Sequence, residues 1–240
     1  MKEEQHPYFL VQAYTAVSLS RGLELPVMEN HEKSYRIIPG DPITFMCGSP
    51  QGLIIQRGIW GIQEGAQTTT TIPSRKLLGT KPFSLLIRKS RCVVPVNALV
   101  VESKAGCKLI RVLGHRIIGL AGVVKTTRRF GSQKHEVTLL GVESPDILQS
   151  VQTIGPAFLT LSQSRKWVSP LDLTKVFEYT DRGSGLWFDY FDVSQDYTDQ
   201  LVVGAADLRP LGLSAAQIAQ RERELRALSI KSLRQNRTGK

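Results

Sequence analysis

Short apolar runs, separated by polar and turn-forming residues, dominate the chain between residues 43 and 142. Each run is rich in Val, Ile and Leu and is bounded by Gly, Pro or Ser, which is typical of β-strands. The pair Gly114-His115 divides two of the runs with the chemistry of a hairpin turn. Short strands at this spacing predict an antiparallel sheet that closes or folds on itself. The predicted strands are Ile43–Cys47, Leu53–Ile62, Cys92–Val101, Lys108–Leu113, Arg116–Val124 and Val137–Val142.

Helix signals are fewer and lie in the second half of the chain. Ser144-Pro145-Asp146 combines an N-cap, a proline at the first helical position and an acidic first turn, which predicts a short helix over Ile147–Gln152. Ser214 and Gln217 form a capping box that starts a C-terminal helix. We therefore expect an α+β fold, mainly antiparallel β with a few short flanking helices. A β-rich domain (residues 1–212) is expected to precede a basic C-terminal helix and tail (residues 213–240).

Composition narrows the class of protein. Hydrophobic residues make up 41% of the 240 positions, enough for a sizeable core, but no apolar run approaches the roughly 18 residues of a membrane span. The N-terminus mixes Glu and Lys where a signal peptide needs an apolar stretch. We therefore expect a cytoplasmic protein without a membrane partner. Three cysteines without a CxxC pair argue against a disulfide framework and a structural zinc site, so neither a metal nor a cofactor is expected.

The formal net charge of +10 is spread unevenly. Residues 214–240 carry seven basic and two acidic side chains, so half of the excess lies at the C-terminus. Residues 172–207 reverse the sign, with eight acidic side chains against two basic ones. Because phosphate contacts supply most non-specific affinity for nucleic acid, clusters of cations without acids are compatible with a nucleic-acid partner. Two such clusters are Lys81, Arg88, Lys89 and Arg91, and Lys125, Arg128, Arg129 and Lys134.

Several catalytic signatures are absent from the sequence. It contains no G-x-x-x-x-G-K-[ST] phosphate loop, no G-x-G-x-x-G that opens a helix after a strand, no H-E-x-x-H and no G-x-S-x-G. The nucleotide-binding loops, zinc proteases and α/β-hydrolases that depend on these motifs are therefore not expected.

A series of short blocks between residues 35 and 194 occurs in a characteristic order. The blocks are Tyr35–Gly40 (YRIIPG), Gly58–Gly61 (GIWG), Ile72–Arg75 (IPSR), Lys81–Phe83 (KPF), Arg91–Pro95 (RCVVP), Leu120–Gly122 (LAG), Ser144–Leu148 (SPDIL), Trp167 and Phe188–Ser194 (FDYFDVS). In order and spacing they resemble the motifs of the SOS-response-associated peptidase (SRAP) family. The resemblance implies the family's folded, barrel-like antiparallel sheet.

The chain replaces the residues on which the family's chemistry depends. In that chemistry, a Cys exposed by removal of the initiator Met uses its amine and thiol to capture the aldehyde of an abasic site in single-stranded DNA. The positions that match this Cys and the family's Asn, Glu and His are Lys2, Pro73, Val101 and Gly155. Because all four differ, the resemblance implies a protein without catalytic residues that has lost the covalent step. Whether any enzymatic activity remains is open.

Other positions that the family places near DNA are retained. Arg75 matches an arginine that contacts backbone phosphate, and Pro39 and Trp60 match residues near the nucleic-acid groove. An arginine in a groove can bind phosphate with two nitrogens, and a partly exposed tryptophan can stack on an unpaired base. The sequence therefore predicts a non-covalent binder of single-stranded DNA, with abasic or branched DNA included. The candidate DNA-binding residues are Arg75, Pro39, Trp60, Arg88, Arg128 and Arg129.

Two alternatives remain open. In the first, the chain is an active abasic-site crosslinking enzyme in which the amine of Met1 or Lys2 forms a Schiff base with the aldehyde. In the second, it is a phage- or plasmid-associated interaction module whose old cleft is filled and whose C-terminal helix contacts a protein partner.

Overall fold

The computed structural model describes residues 8–23, 31–79, 81–103, 106–129, 131–144, 154–169, 186, 188–194 and 197, together with six helical positions between residues 216 and 227. Antiparallel strands dominate these residues, which confirms the predicted α+β fold with mainly antiparallel β-structure. Among the same residues, no helix is long and apolar enough to cross a membrane.

All six predicted segments contain strands, and two of them are divided, Leu53–Ile62 at Gly61 and Cys92–Val101 at Asn97. The strands are β1 (Tyr8–Gln12), β2 (Ser34–Ile37), β3 (Pro42–Ser49), β4 (Gly52–Trp60), β5 (Ile62–Glu64), β6 (Gln67–Thr69), β7 (Thr71–Pro73), β8 (Arg91–Val96), β9 (Ala98–Ser103), β10 (Gly106–Val112), β11 (Ile118–Arg129), β12 (Ser132–Glu143), β13 (Ile154–Pro156), β14 (Phe158–Leu159) and β15 (Phe188–Val193). The helices are α1 (Ala16–Leu23), α2 (Ser74–Leu77), α3 (Phe83–Lys89) and α4 (Leu161–Val168).

Five strands form a closed ring in the order β12-β4-β3-β8-β11, and β11 pairs back with β12. The junction between β3 and β8 is short, because only Met46↔Val93 and Cys47↔Cys92 are in register. Beyond them the buried amide of Gln12 bridges the two strands. It donates to the backbone oxygens of Thr44 and Pro95 at 2.8 and 2.9 Å and accepts from the Thr44 N–H at 2.9 Å.

A second sheet, in the order β15-β10-β9-β1-β2, shares the main apolar core with the ring. Successive side chains of a strand point to opposite faces. Tyr8 and Leu10 of β1 therefore belong to the main core, whereas Phe9 and Val11 belong to a separate cluster that includes Tyr197. Both faces of β1 are buried, which explains why it reads as an almost continuous apolar run.

Helix α4 packs closely on the face of the ring opposite the main core. It begins at a capping box, in which Thr160 Oγ1 accepts from the Gln163 N–H at 3.2 Å and Gln163 Oε1 accepts from the Thr160 N–H at 2.8 Å. A Cβ atom at Gly119 of β11 would lie 2.3 Å from Ser164 Oγ. The absence of a side chain at Gly119 therefore permits the approach of α4.

Arg91 joins α3 and α4 to the ring. Its side chain is buried and donates to the carbonyl oxygens of Trp167, Ile87 and Ser169 at 2.6, 2.8 and 2.6 Å. These carbonyls lie at the C-terminal ends of the two helices, where a cation complements the helix dipole. The sequence places Arg91 in a basic cluster, but the structure removes it from the charged surface.

The predicted hairpin at Gly114-His115 is wrong. Strand β10 belongs to the second sheet and β11 to the ring, so the turn carries the chain from one sheet to the other. The hairpin lies further along, where β11 pairs with β12 up to Arg129↔Ser132. Gly131 has a φ of +80° in this turn, a backbone conformation that favours glycine. Turn chemistry marked a change of direction correctly but could not identify the partner strand.

The two predicted helices are only partly within the described residues. Ile147–Gln152 lies outside them. In the C-terminal segment the described positions are helical and exposed, and their spacing is that of one helix face. These positions are Ala216, Gln217, Gln220, Arg223, Glu224 and Ala227.

Candidate nucleic-acid interface

The structure brings two of the positions that match the family's site residues to the same part of β12. Pro73 of β7 is paired with Gly141 on one side of β12, and Gly155 of β13 is paired with Val142 on the other. Neighbouring strands lie about 4.8 Å apart, so the backbones at Pro73 and Gly155 are separated by about 10 Å. Pro73 and Gly155 therefore flank the same part of β12.

The third position, Val101, connects to the same region through the neighbouring strand. Val101 is paired with Tyr8, whose hydroxyl hydrogen-bonds Thr71 Oγ1 at 2.6 Å, two residues before Pro73. Val101 is 1% exposed, and Gly155 is also buried. Burial raises the pKa of Tyr8 to about 12, so its phenol is neutral at ordinary pH. A neutral aromatic and aliphatic cluster thus occupies the place where the resemblance implies an acid.

Trp60 belongs to this cluster and not to the surface. It is fully buried, its ring centroid lies 5.8 Å from that of Tyr8, and its indole N–H donates to the Thr70 carbonyl at 3.2 Å. A base cannot reach a ring that is packed on all sides. The prediction that Trp60 stacks on DNA is therefore wrong, because the alternation of β4 turns this side chain into the main core.

Pro39 lies in a tight turn beside the end of β4. The Asp41 N–H donates to the Ile38 carbonyl at 3.0 Å, and Gly40 has a φ of +93°, which together define a type II turn with proline at its second position. The Gly40 N–H donates to the Trp60 carbonyl at 2.7 Å and ties the turn to β4. Pro39 is half-buried, and its contact with DNA stays a prediction.

Arg75 lies on α2 at the end of β12 that carries Glu143. The Arg75 guanidinium forms an ion pair with the Glu143 carboxylate, and the two side chains are 83% and 79% exposed. An ion pair in water contributes about 0–1 kcal/mol, because both charges keep most of their hydration. A phosphate can therefore replace Glu143 as the partner of Arg75 at little cost.

The segment that contains α2 and α3 carries positive charge only. No Asp or Glu occurs between residues 65 and 101. Helix α3 turns Phe83 and Ile87 towards the ring and leaves its charged side chains in solvent. The exposed cations of the segment are Arg75, Lys76, Lys81, Arg88 and Lys89. The sequence-based selection omitted Lys76, and the acid-free segment is the signal that could have found it.

The end of α3 meets the second basic cluster. The Val124 N–H of β11 donates to the Ser90 carbonyl at 2.8 Å, directly after α3. Val123 packs in the same cluster as α3, and the alternation of the ladder places Lys125 on that face of the hairpin. Lys134 stands opposite Thr127 and lies on the same face. The two basic clusters of the sequence are therefore neighbours in the fold.

Arg128 and Arg129 have different positions on the hairpin. Arg128 is exposed and stands opposite Gln133, on the face away from Lys125. Arg129 is paired with Ser132 at the hairpin end, and its side chain lies outside the described residues. Contact between either residue and DNA stays a prediction.

The exposed cations of the segment that contains α2 and α3, with Lys134 and the half-buried Lys125 of the adjoining hairpin, form a group that we call the cationic track. The Lys125 ammonium donates to the Gln63 carbonyl at 3.3 Å. Glu143, the partner of Arg75, and Lys134 are nine residues apart on β12, which is about 30 Å along the strand at about 3.3 Å per residue. By the alternation of the strand their side chains leave it on opposite faces, so the track passes around the end of β12. Among the described residues two carboxylates oppose it, Glu143 at one end and the buried Glu136, which pairs with Lys134 at 2.7 Å. The track consists of Arg75, Lys76, Lys81, Arg88, Lys89, Lys125 and Lys134.

Part of the acidic segment, residues 172–207, pairs with a different region. Asp189 and Asp192 lie on β15 and form ion pairs with Arg111 and Lys108 of β10 at 3.1 and 2.9 Å. These contacts hold the edge of the second sheet. The two carboxylates are therefore engaged away from the cationic track.

Comparison with known proteins establishes the fold but not a family. No protein-family model and no curated protein matches the sequence. A solved protein from Bacteroides thetaiotaomicron superposes with a TM-score of 0.70 at 15% identity, covering 85% of this chain and 99% of its own. A protein from Bordetella bronchiseptica superposes with a TM-score of 0.65 at 13% identity, covering 78% of this chain and 100% of its own. A phage-related protein from the same bacterium superposes with a TM-score of 0.60 at 18% identity, covering 78% of this chain and 94% of its own. At these identities the likeness shows a shared fold.

Proposed function

We propose that this chain is a divergent SRAP-like protein that binds single-stranded DNA non-covalently along the cationic track. The observation that carries the proposal is the track itself, in which seven cations are accompanied by two carboxylates among the described residues. An excess of five positive charges among these residues attracts a polyanion and positions its phosphates.

The absence of covalent chemistry is supported by the packing at the family positions. Val101 and Gly155 offer no carboxylate or imidazole, and the Tyr8 hydroxyl is engaged with Thr71. Proton transfer to or from an aldehyde adduct needs an acid or base within hydrogen-bond distance. The residues of this cluster do not provide one.

A preference for single strands is supported by two apolar side chains on the track. Leu78 and Leu85 are 47% and 56% exposed, next to the cations of α2 and α3. The bases of a single strand expose apolar faces that a duplex keeps stacked. Contacts to bases in addition to phosphates therefore favour the single strand over the duplex.

The phage-related neighbour provides context for this activity. That neighbour is a phage-related protein with the same fold, and we include phage association of this chain in the proposal. We also propose that residues 213–240 form a separate basic helix and tail that adds electrostatic attraction without taking part in the fold of residues 1–212.

Fluorescence anisotropy with a labelled single-stranded oligonucleotide, titrated at several salt concentrations, tests the proposal. If all seven cations contact phosphates, the track should contribute about −5 to the slope of the logarithm of the association constant against the logarithm of salt concentration, and the tail should add to it. Replacing Arg88 and Lys89 together by Ala should weaken binding and make the slope less negative by about 1.4. Negligible binding at low salt would sink the proposal.

A matched control separates the track from overall charge. Arg57 on β4 and Lys108 on β10 lie outside the track and pair with Glu32 and Asp192. Replacing both by Ala lowers the net charge by two, as the replacement of Arg88 and Lys89 does. The control should keep nearly the parental slope. Equal losses in the two variants would show that net charge alone attracts the DNA.

The packed family site favours a second candidate, a protein-interaction module. If the old cleft is filled by Tyr8, Trp60 and Val101, binding must use another surface, and the exposed face of the C-terminal helix is the one we propose. Gln217, Gln220 and Arg223 lie on that face. This function predicts no salt-dependent DNA binding and predicts that Arg223→Glu weakens association with a protein partner.

A further inference from the structure

Cys47 and Cys92 stand directly opposite each other on neighbouring antiparallel strands, β3 and β8. Opposite residues point to the same face of the sheet, and both side chains contact the main core. Their Cβ atoms are expected to be about 4.5–5.5 Å apart, close to the roughly 3.5–4.5 Å that a disulfide needs. The thiols also interact electrostatically, because Cys47 adds to the effect of burial in raising the pKa of Cys92.

The pair lies at a junction where a covalent bond would matter. Strands β3 and β8 are joined by only two residue pairs, and the Gln12 amide replaces the ladder beyond them. The next residue of β3, Gly48, is exposed at the end of this short ladder, and no further backbone pair joins β3 to β8 beyond it. A closing movement of about 1 Å between the strands is therefore small for this part of the ring.

We propose that Cys47 and Cys92 form a reversible disulfide when the protein meets a low-molecular-weight disulfide. This inference does not depend on the proposed DNA binding. The thiolate of Cys47, which is half-buried and carries its Sγ 3.7 Å from Gln56 Oε1, attacks the external disulfide and releases one small thiol. The thiolate of the fully buried Cys92 then displaces the second small thiol. The protein loses two hydrogens, and the external disulfide is reduced to two thiols.

The structure predicts the kinetics and the effect of this modification. Burial raises the pKa of Cys47, so the first step should be slow at neutral pH and faster as the pH rises. The bond would close a loop of 45 residues and restrict the unfolded chain. We expect the oxidised protein to melt about 5–10 °C higher than the reduced protein.

Mass spectrometry of the full chain tests the proposal. After incubation with a large excess of oxidised over reduced glutathione near pH 8.5, the intact mass should fall by about 2 Da, and a non-reduced digest should link the peptides of Cys47 and Cys92. Dithiothreitol should restore the parental mass and melting temperature. Cys107, which is buried in another cluster, serves as the control, and Cys107→Ser should oxidise as the parent does.

Three outcomes would overturn the proposal. They are a stable glutathione adduct on Cys47 without the crosslink, a crosslink that involves Cys107, and no change in mass at a high ratio of oxidised to reduced glutathione. All three outcomes are measured on the parental protein, so the test does not require a variant of Cys47 or Cys92 to fold.

Discussion

Replacing Arg91 by Met removes a buried guanidinium and keeps an unbranched apolar side chain in the same place. In the structure this guanidinium donates to the backbone carbonyls of Ile87, Trp167 and Ser169. In the variant, the first two carbonyls would remain in a buried environment without their partner. Because unsatisfied buried acceptors are costly, the substitution should destabilise the fold.

The magnitude follows from the number of bonds. Each hydrogen bond contributes about 1 kcal/mol net, so the loss of three should lower the free energy of unfolding by about 3 kcal/mol. For a chain of 240 residues, 1 kcal/mol corresponds to about 2–4 °C in melting temperature. We therefore expect Arg91→Met to melt about 6–12 °C below the parent. Arg91→Lys keeps the charge but not the planar fork of donors, so its melting temperature should lie between those of the parent and of Arg91→Met.

Two measurements on the same variant check this reasoning. Thermal unfolding followed by circular dichroism gives the stability, and the salt dependence of DNA binding gives the number of phosphate contacts. Because Arg91 is buried, the slope should not change, whereas the loss of a phosphate contact would make it less negative by about 0.7. A melting temperature within 2 °C of the parent, or a shallower slope, would refute the assignment of Arg91 to the fold.

Other expected outcomes concern the charged surface, the open alternative, the domain boundary and pH. Glu143→Gln frees Arg75 from its ion pair and should strengthen DNA binding up to about fivefold in anisotropy titrations, whereas unchanged or weaker binding would exclude Arg75 from the interface. Borohydride reduction on an abasic oligonucleotide should trap no adduct, and a trapped amine at Lys2 would support the Schiff-base alternative. Truncation after Gly212 should leave the melting temperature nearly unchanged and make the DNA salt slope less negative. Burial lowers the pKa values of His31, His115 and His135, so the unfolded state binds these protons more readily and stability should fall as the pH drops below about 6.5. His31→Gln should make this dependence shallower in thermal melts without removing it.

The strands were predictable because their signal is local. Segments such as Arg91–Val96 are buried at every position, so an apolar run bounded by turn residues is enough to identify them. Pairing is not local. Gly114 has a φ of +76° and does form a turn, but the strands on its two sides join different sheets. The capping box at Thr160 and Gln163, which starts α4, is likewise a local signal.

The surface charges were predictable as clusters but not as individual contacts. Lys89 and Arg91 are two residues apart, yet Lys89 ends α3 in solvent and Arg91 begins β8 inside the protein. Their different environments depend on where the helix stops and on carbonyls of α4 about 75 residues away. Conversely, the adjacency of α3 and Lys125 depends on one backbone hydrogen bond from Val124 to Ser90 that no sequence pattern records.

Pro73 and Gly155 flank β12 and Val101 lies in the main core, and none of the three carries a group that the covalent chemistry of the SRAP family needs. A glutamate at position 101 would not restore the chemistry, because it would bury a carboxylate among Tyr8, Trp60 and other core side chains, where an unpaired charge is costly. Packing at this site and charge on the cationic track are therefore separate properties of the fold. Substitutions in the cluster should change stability, whereas substitutions on the exposed track should change DNA affinity and leave stability nearly unaffected.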